Sequence, residues 1–259
     1  MSLAADAAAR QACTGQQGHR GQATVAGCGL AAAHSRLAGE CGRWVRGLEA
    51  RAGGRFAIPD GAEFGGLRCW WGKRRPRPSP HEGVDFCEVM PVSHEEAAAE
   101  PWLLPVGFDL PAVANGEVVA VFDDFIARTI VVEHAKCSAE SRGGSGGLEP
   151  GPGGTEEEQT EGLAGSVAVG REWSLCWLFA HVEPVAGAMP GSLVCGEGGT
   201  VAAIAASKTS APPHIHLSLL AVPASFPWIT ISGWPDLIEH AAVGGICFLD
   251  PLGAQVGST

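Results

Sequence analysis

The sequence predicts an all-β fold, and two features of its 259 residues carry that expectation. Thirty-seven Gly and eighteen Pro stand against a charged fraction of only 17%, a composition that favours many turns over long helices. The apolar residues, 46% of the chain, gather in short runs bounded by Gly or Pro, as strands do. They supply ample material for one sizeable buried core.

In chain order the strand candidates are GEVVAVF from Gly116, RTIVVEH from Arg128 to His134, SLCWLFAH from Ser174 to His181, GSLVCGEGGTVAAIA from Gly191 and HIHLSLLAV from His214. The second and third read as a hairpin whose turn has been enlarged by residues 138–171. That insert is dominated by Gly, Glu, Ser and Pro and cannot bury enough apolar surface to offset the entropy of ordering it, so disorder is expected. Pro235 to Val243 can begin a helix, with Pro in the first turn and Asp236 near the N-terminus.

The domain proper is expected over residues 55–252, with Trp70 and Trp71 as early aromatic anchors. Residues 1–54 contain LAADAAARQA and GLAAAHSRLAG, which could be short helices but carry few large apolar side chains. A loosely packed extension is expected there, and a short tail over 253–259.

A formal charge of −11 argues against nucleic acid as a partner, because phosphate binding draws on clustered Lys and Arg. The basic cluster KRRPRP, Lys73 to Pro78, reads as a solvated Pro-rich loop. Nine scattered cysteines without a CxxC pair point to buried free thiols rather than a disulfide framework. No run approaches eighteen consecutive apolar residues, so no membrane span is expected, and the start lacks the pattern of a secretory signal. The chain reads as a soluble monomer. Its compartment stays open; an organelle transit peptide fits the first forty residues, whose only acids are Asp6 and Glu40.

Two groups of potential metal ligands stand out, HEGVD at His81 to Asp85 and HIH at His214 to His216. In an extended strand, side chains repeat every two residues, which puts His81 with Asp85 and His214 with His216 on common faces. Ile215 and Leu217 then turn into the core. With nine His in the chain an HxH arises by chance in roughly one sequence of three or four, and polar residues on a solvated strand face are the alternative reading. Of the remaining histidines, His134 reads as a packed or hydrogen-bonded structural residue, and His19, His34, His94 and His240 as surface. Cys87, two residues after Asp85, reads as a small buried hydrophobe rather than a ligand.

Context changes the weight of these motifs. From WWG at Trp70 to about Leu237 the chain resembles the lysostaphin/LytM-type zinc metallopeptidases. HEGVDF resembles that family's first metal motif, GEVVAVFDDF and TIVVEH the strands that follow, FAH (Phe179 to His181) its third motif and PPHIHLSL its last. The resemblance implies an antiparallel β-sandwich of two sheets, of the duplicated hybrid motif type, with a few short helices. It also implies one zinc per chain, held by His81, Asp85 and His216, with His214 as general base and His181 hydrogen-bonding the water or the developing oxyanion. Two imidazoles and a carboxylate suit a tetrahedral zinc that keeps its fourth position open for catalysis. The implied substrate is a peptide, of the kind that cross-links bacterial cell walls.

The chain departs from the family at Phe179, where a Tyr is usual, and at IAASKTSAPP, which replaces a Gly-rich turn. It contains no Tyr at all. Two other functions compete with the peptidase. Some relatives have lost their ligands and act as binding or regulatory modules, whereas all five polar positions are present here. Glucose permease domains share the sandwich architecture, but a carboxylate-containing zinc set does not suit a phosphorylated histidine.

Overall fold

A computed structural model describes residues 28–92, 100–137, 172–196 and 198–253. The fold is all-β, built of two antiparallel sheets with two α-helices among the described residues. The expectations for residues 1–27, for the 138–171 insert and for the tail beyond Gly253 lie outside the described residues.

The chain opens with helix α1 (Cys28–Ala52) and then forms β1 (Arg55–Ala57), β2 (Val84–Phe86), β3 (Glu88–Met90), β4 (Trp102–Leu103) and β5 (Asp109–Pro111). Next come β6 (Gly116–Asp123), β7 (Arg128–Cys137), β8 (Trp173–Pro184), β9 (Leu193–Val194), β10 (Thr200–Ile204) and β11 (Ile215–Pro223). A 3-10 turn (Trp228–Thr230), helix α2 (Trp234–Ala242) and β12 (Cys247–Leu249) finish it. The small sheet has the order β1-β3-β4; the large one runs β12-β11-β8-β7-β6-β9, with β2 added to β11 and β10 bridging β5 and β8.

The predicted hairpin is present: β7 and β8 pair antiparallel from Arg128 and Val182 to Cys137 and Trp173. β8 and β11 lie at the centre and are buried along nearly their whole length. Such strands read as continuous apolar runs because both faces are covered.

One face of β8 and β11, with Trp177, Phe179, Leu217 and Leu219, packs into the main core together with α1. Here the expected loose extension is corrected. Residues 28–52 form one 25-residue helix, long rather than short, and Leu30, Leu37, Cys41, Trp44 and Leu48 are buried in that core. Their spacings of seven, four, three and four residues make a single apolar stripe at the helical period, so a few large side chains suffice. The helix stops at Gly53, whose φ of 77° suits a residue without a Cβ. Gly54 then passes so near the backbone oxygen of Met90 that a Cβ would lie 2.4 Å from it.

The opposite face carries Cys176, Leu178, Ala180, Leu220 and Val222, covered by Leu237 of α2 with Ile231 and Ile246. α2 confirms the helix expected from Pro235. The six described cysteine side chains are all unpaired. Burial pushes the thiols of Cys41 and Cys87 up to about 12, so both stay protonated and behave as apolar packing groups. No helix among the described residues is long and apolar enough to cross a membrane.

Candidate metal centre

β2 pairs with the first residues of β11, setting Asp85 directly opposite His216, and β8 lies on the other side with Ala180 opposite His216. Val84 and Phe86 turn into the main core, so the alternation of a strand leaves Asp85 facing the site. His81 arrives differently from the expected strand geometry. β2 begins only at Val84, and His81 is brought in by the bend at Glu82–Gly83. Gly83 permits that bend because a Cβ there would lie 2.4 Å from the Leu217 carbonyl oxygen and 2.7 Å from His216 Nε2.

His81, Asp85, His181, His214 and His216 are all buried. The first two and His216 form a cluster that could hold a metal ion. Their facing atoms are close: His216 Nδ1 lies 2.8 Å from Asp85 Oδ1 and 3.0 Å from His81 Nε2, and His81 Nε2 lies 3.3 Å from Asp85 Oδ1. Donor atoms around a tetrahedral zinc with bonds of ~2.0–2.1 Å are roughly 3.3–3.4 Å apart. The triangle therefore fits such an ion with a few tenths of an ångström of opening.

The outward side of every histidine ring meets an oxygen. His81 Nδ1 meets the Glu63 carbonyl at 3.1 Å, His214 Nδ1 the Pro212 carbonyl at 2.8 Å, His216 Nε2 the Ser218 hydroxyl at 2.8 Å and His181 Nδ1 the Asp124 carboxylate at 3.2 Å. A carbonyl or carboxylate only accepts, so the rings of His81, His214 and His181 carry their hydrogen on Nδ1 and present Nε2 as a lone pair. With the Ser218 hydroxyl accepting from His216 Nε2, lone pairs of His81, His216 and Asp85 converge on one point. A cation relieves that repulsion, and outer partners of this kind are what orient ligating histidines.

Asp85 is further fixed by Trp70 Nε1, which donates to Oδ2 at 2.5 Å, and by Arg77, whose guanidinium is 3.7 Å from the same oxygen. Arg77 thus corrects the reading of the basic cluster as wholly solvated: it turns inward and also donates to the Arg68 and Gly61 carbonyls. Burial alone would raise the Asp85 carboxyl, but His81 and His216 beside it outweigh this and hold it well below the usual range. Burial pushes His216 down to about 4 and lowers His214 as well. Both are neutral at neutral pH, the state a ligand or a base needs.

The five sequence-nominated side chains come together in one place. The His181 ring centroid is 4.8 Å from that of His214 and 5.9 Å from that of His216. Around them stand two tryptophans not nominated for the site: Trp70, expected as an aromatic anchor, is edge-on to His214, and Trp234, at the start of α2, is edge-on to His216. Phe125, 61% exposed, stands edge-on to His181. Phe179, in the usual Tyr position, is not among them; it packs in the core against Trp44. The other histidines stay apart. His134 bonds the Asn115 carbonyl at 2.6 Å and His34 the Asp250 carbonyl at 2.8 Å, the latter half-buried rather than on the surface. Cys87 packs with Ala62 and Trp70; His19 and His94 lie outside the described residues.

No protein-family model matches the chain, and no curated protein matches it. Solved structures similar to it include a zinc-containing peptidase from Vibrio cholerae, at 17% identity over 66% of this chain and 34% of that one, with a TM-score of 0.35. Another is the catalytic domain of a prophage-encoded M23 protein from Enterococcus faecalis, at 15% identity over 63% of this chain and 78% of that one, with a TM-score of 0.31. A third is LytU, at 16% identity over 73% of this chain and 86% of that one, with a TM-score of 0.33. The chain thus spans about a third of the Vibrio structure.

Proposed function

We propose that this chain is a zinc metalloendopeptidase acting on peptide bonds of the peptidoglycan cross-link type. The observation that carries the reading is the buried group of four histidines and one aspartate, each ring fixed on its outer side by an oxygen. Burying so many polar groups is costly unless they are satisfied and used. His81 Nε2, Asp85 Oδ1 and His216 Nδ1 are the atoms that would hold one zinc per chain. When bound, zinc supplies a nucleophilic water at neutral pH and polarises the scissile carbonyl.

The protein's own side chains do the rest. His214, with its hydrogen on Nδ1 and bonded to Pro212, keeps Nε2 free to take a proton as general base. His181, whose Nδ1–H is held by Asp124, keeps its own Nε2 beside His214 to bond the attacking water or, once protonated, the oxyanion. Trp70 and Arg77 hold the Asp85 carboxylate in place, and Phe125 and Trp234 form apolar walls beside the histidines.

The test is to load the purified chain with zinc and offer it peptides and cross-linked peptidoglycan. Cleavage is expected, with His214→Ala and His181→Ala each lowering turnover by ~10²–10⁴-fold while retaining the metal. His216→Ala should lose both metal and turnover. A zinc-loaded chain that cleaves neither peptide nor cell-wall substrate would make a non-catalytic binding module the better reading.

A further inference from the structure

β8 does not run straight past the site. Arg128 of β7 faces Val182 while its neighbour Thr129 faces Ala180, which leaves His181 an extra residue without a counterpart. This is a β-bulge, which re-aims one side chain and takes its N–H out of the ladder. His181 sits there with φ at 66°, in the left-handed region that a residue with a Cβ occupies only where its surroundings over-determine it.

What holds it is Asp124, in the turn between β6 and β7. Asp124 Oδ2 accepts the backbone N–H of His181 at 3.0 Å, and Oδ1 accepts its ring Nδ1–H at 3.2 Å. The carboxylate is itself locked: Oδ1 accepts the N–H groups of Ile126 and Ala127 at 2.8 and 2.7 Å, and Oδ2 accepts the Thr129 hydroxyl at 2.9 Å. Its side chain is fully buried. Thr129 in turn accepts from Trp234 Nε1 at 3.2 Å, tying the turn to the residue that stands against His216.

We propose that Asp124 is the positioning residue for His181, holding both the bulge that aims the ring and the tautomer that leaves Nε2 for chemistry. The inference rests on the reading of His181 as a reacting group. Both oxygens of Asp124 face N–H groups, and an ionised carboxylate is the side chain that accepts at both ends. An amide of the same shape must turn a donor toward one of them. The sequence holds the same logic in brief: DDF places an acid at a turn between two strands, where Asp commonly caps backbone N–H groups, and here the cap has a second use.

Two measurements on the full chain test this. In ¹⁵N spectra of the histidine rings, with His181 assigned by its loss in His181→Ala, the wild type should show the Nδ1–H tautomer with and without zinc. Asp124→Ala should shift that ring toward Nε2–H. If Asp124→Ala folds poorly, Asp124→Asn, which keeps an oxygen for the turn, carries the second measurement. It should lower turnover by ~10²-fold or more with KM little changed, and cost nothing further in the His181→Ala background. An Nε2–H tautomer in the wild type, or an Asp124→Asn loss of equal size with and without His181, would overturn the proposal. Should no form of the chain hydrolyse any peptide, the peptidase reading fails while the tautomer still decides the role of Asp124.

Discussion

The two faces of the central strands β8 and β11 are built on different terms. Toward α1 the face is apolar from end to end, with Trp173, Leu175, Trp177 and Phe179 beside Ile215, Leu217, Leu219 and Ala221. On the other face Leu220 and Val222 give way along β11 to Ser218 and His216, and the cluster that could hold a metal ion gathers at that end. The same strands thus serve a core on one side and a site on the other. Rigid backing is what a site needs, since ligand geometry within fractions of an ångström depends on the packing behind it. Trp44 of α1 makes the link, standing edge-on to Phe86, next to Asp85, and to Phe179, two residues before His181.

If the comparison holds, substitutions on the two faces separate stability from metal binding. The largest effect belongs to the apolar face. Trp44→Ala removes a buried indole that also donates to the Pro111 carbonyl at 2.7 Å, and a loss of about 3–5 kcal/mol is expected. Urea unfolding checks this, and the fraction that remains folded should keep its metal. A loss below about 1 kcal/mol would mean that α1 is peripheral after all.

The smaller effect belongs to the polar end. Ser218→Ala removes the partner of His216 Nε2 without opening a large cavity, so the unfolding midpoint should change little. Zinc affinity should fall by ~10–100-fold, as measured by competition with a chelator. An unchanged affinity alongside a large loss of stability would place Ser218 with the core instead.

The contrast also explains what could be read from the sequence. The strands of the hairpin are legible from their apolar runs, and local spacing singles out His81, Asp85, His214 and His216, as with Asp85 between Val84 and Phe86, whereas His181 is nominated only through the family resemblance. Helix α1 is hard to read from the sequence because its stripe is spread through an Ala- and Gly-rich segment, where five buried residues at helical spacing matter more than overall apolar content. Spacing alone places His81 on a strand, because it cannot show the bend that Gly83 permits. The roles of Asp124, Trp70 and Arg77 are not written in local spacing, because they depend on which residues the fold turns toward them, His181 for the first and Asp85 for the other two; Ser218 lies only two residues from His216, and its role depends on which ring nitrogen faces it. The bulge at His181 leaves no local trace, since the register of two strands decides it.

His81, Asp85 and His216 are proposed to form one zinc site, and the metal content of the protein tests that assignment. Elemental analysis of natively purified protein should find about one zinc per chain, the expectation for a single three-ligand site, and none in His81→Ala or Asp85→Ala that retain the far-UV circular dichroism of the native fold. Native protein without a stoichiometric transition metal, failing also to take up added zinc, would show that these three residues do not form a zinc site.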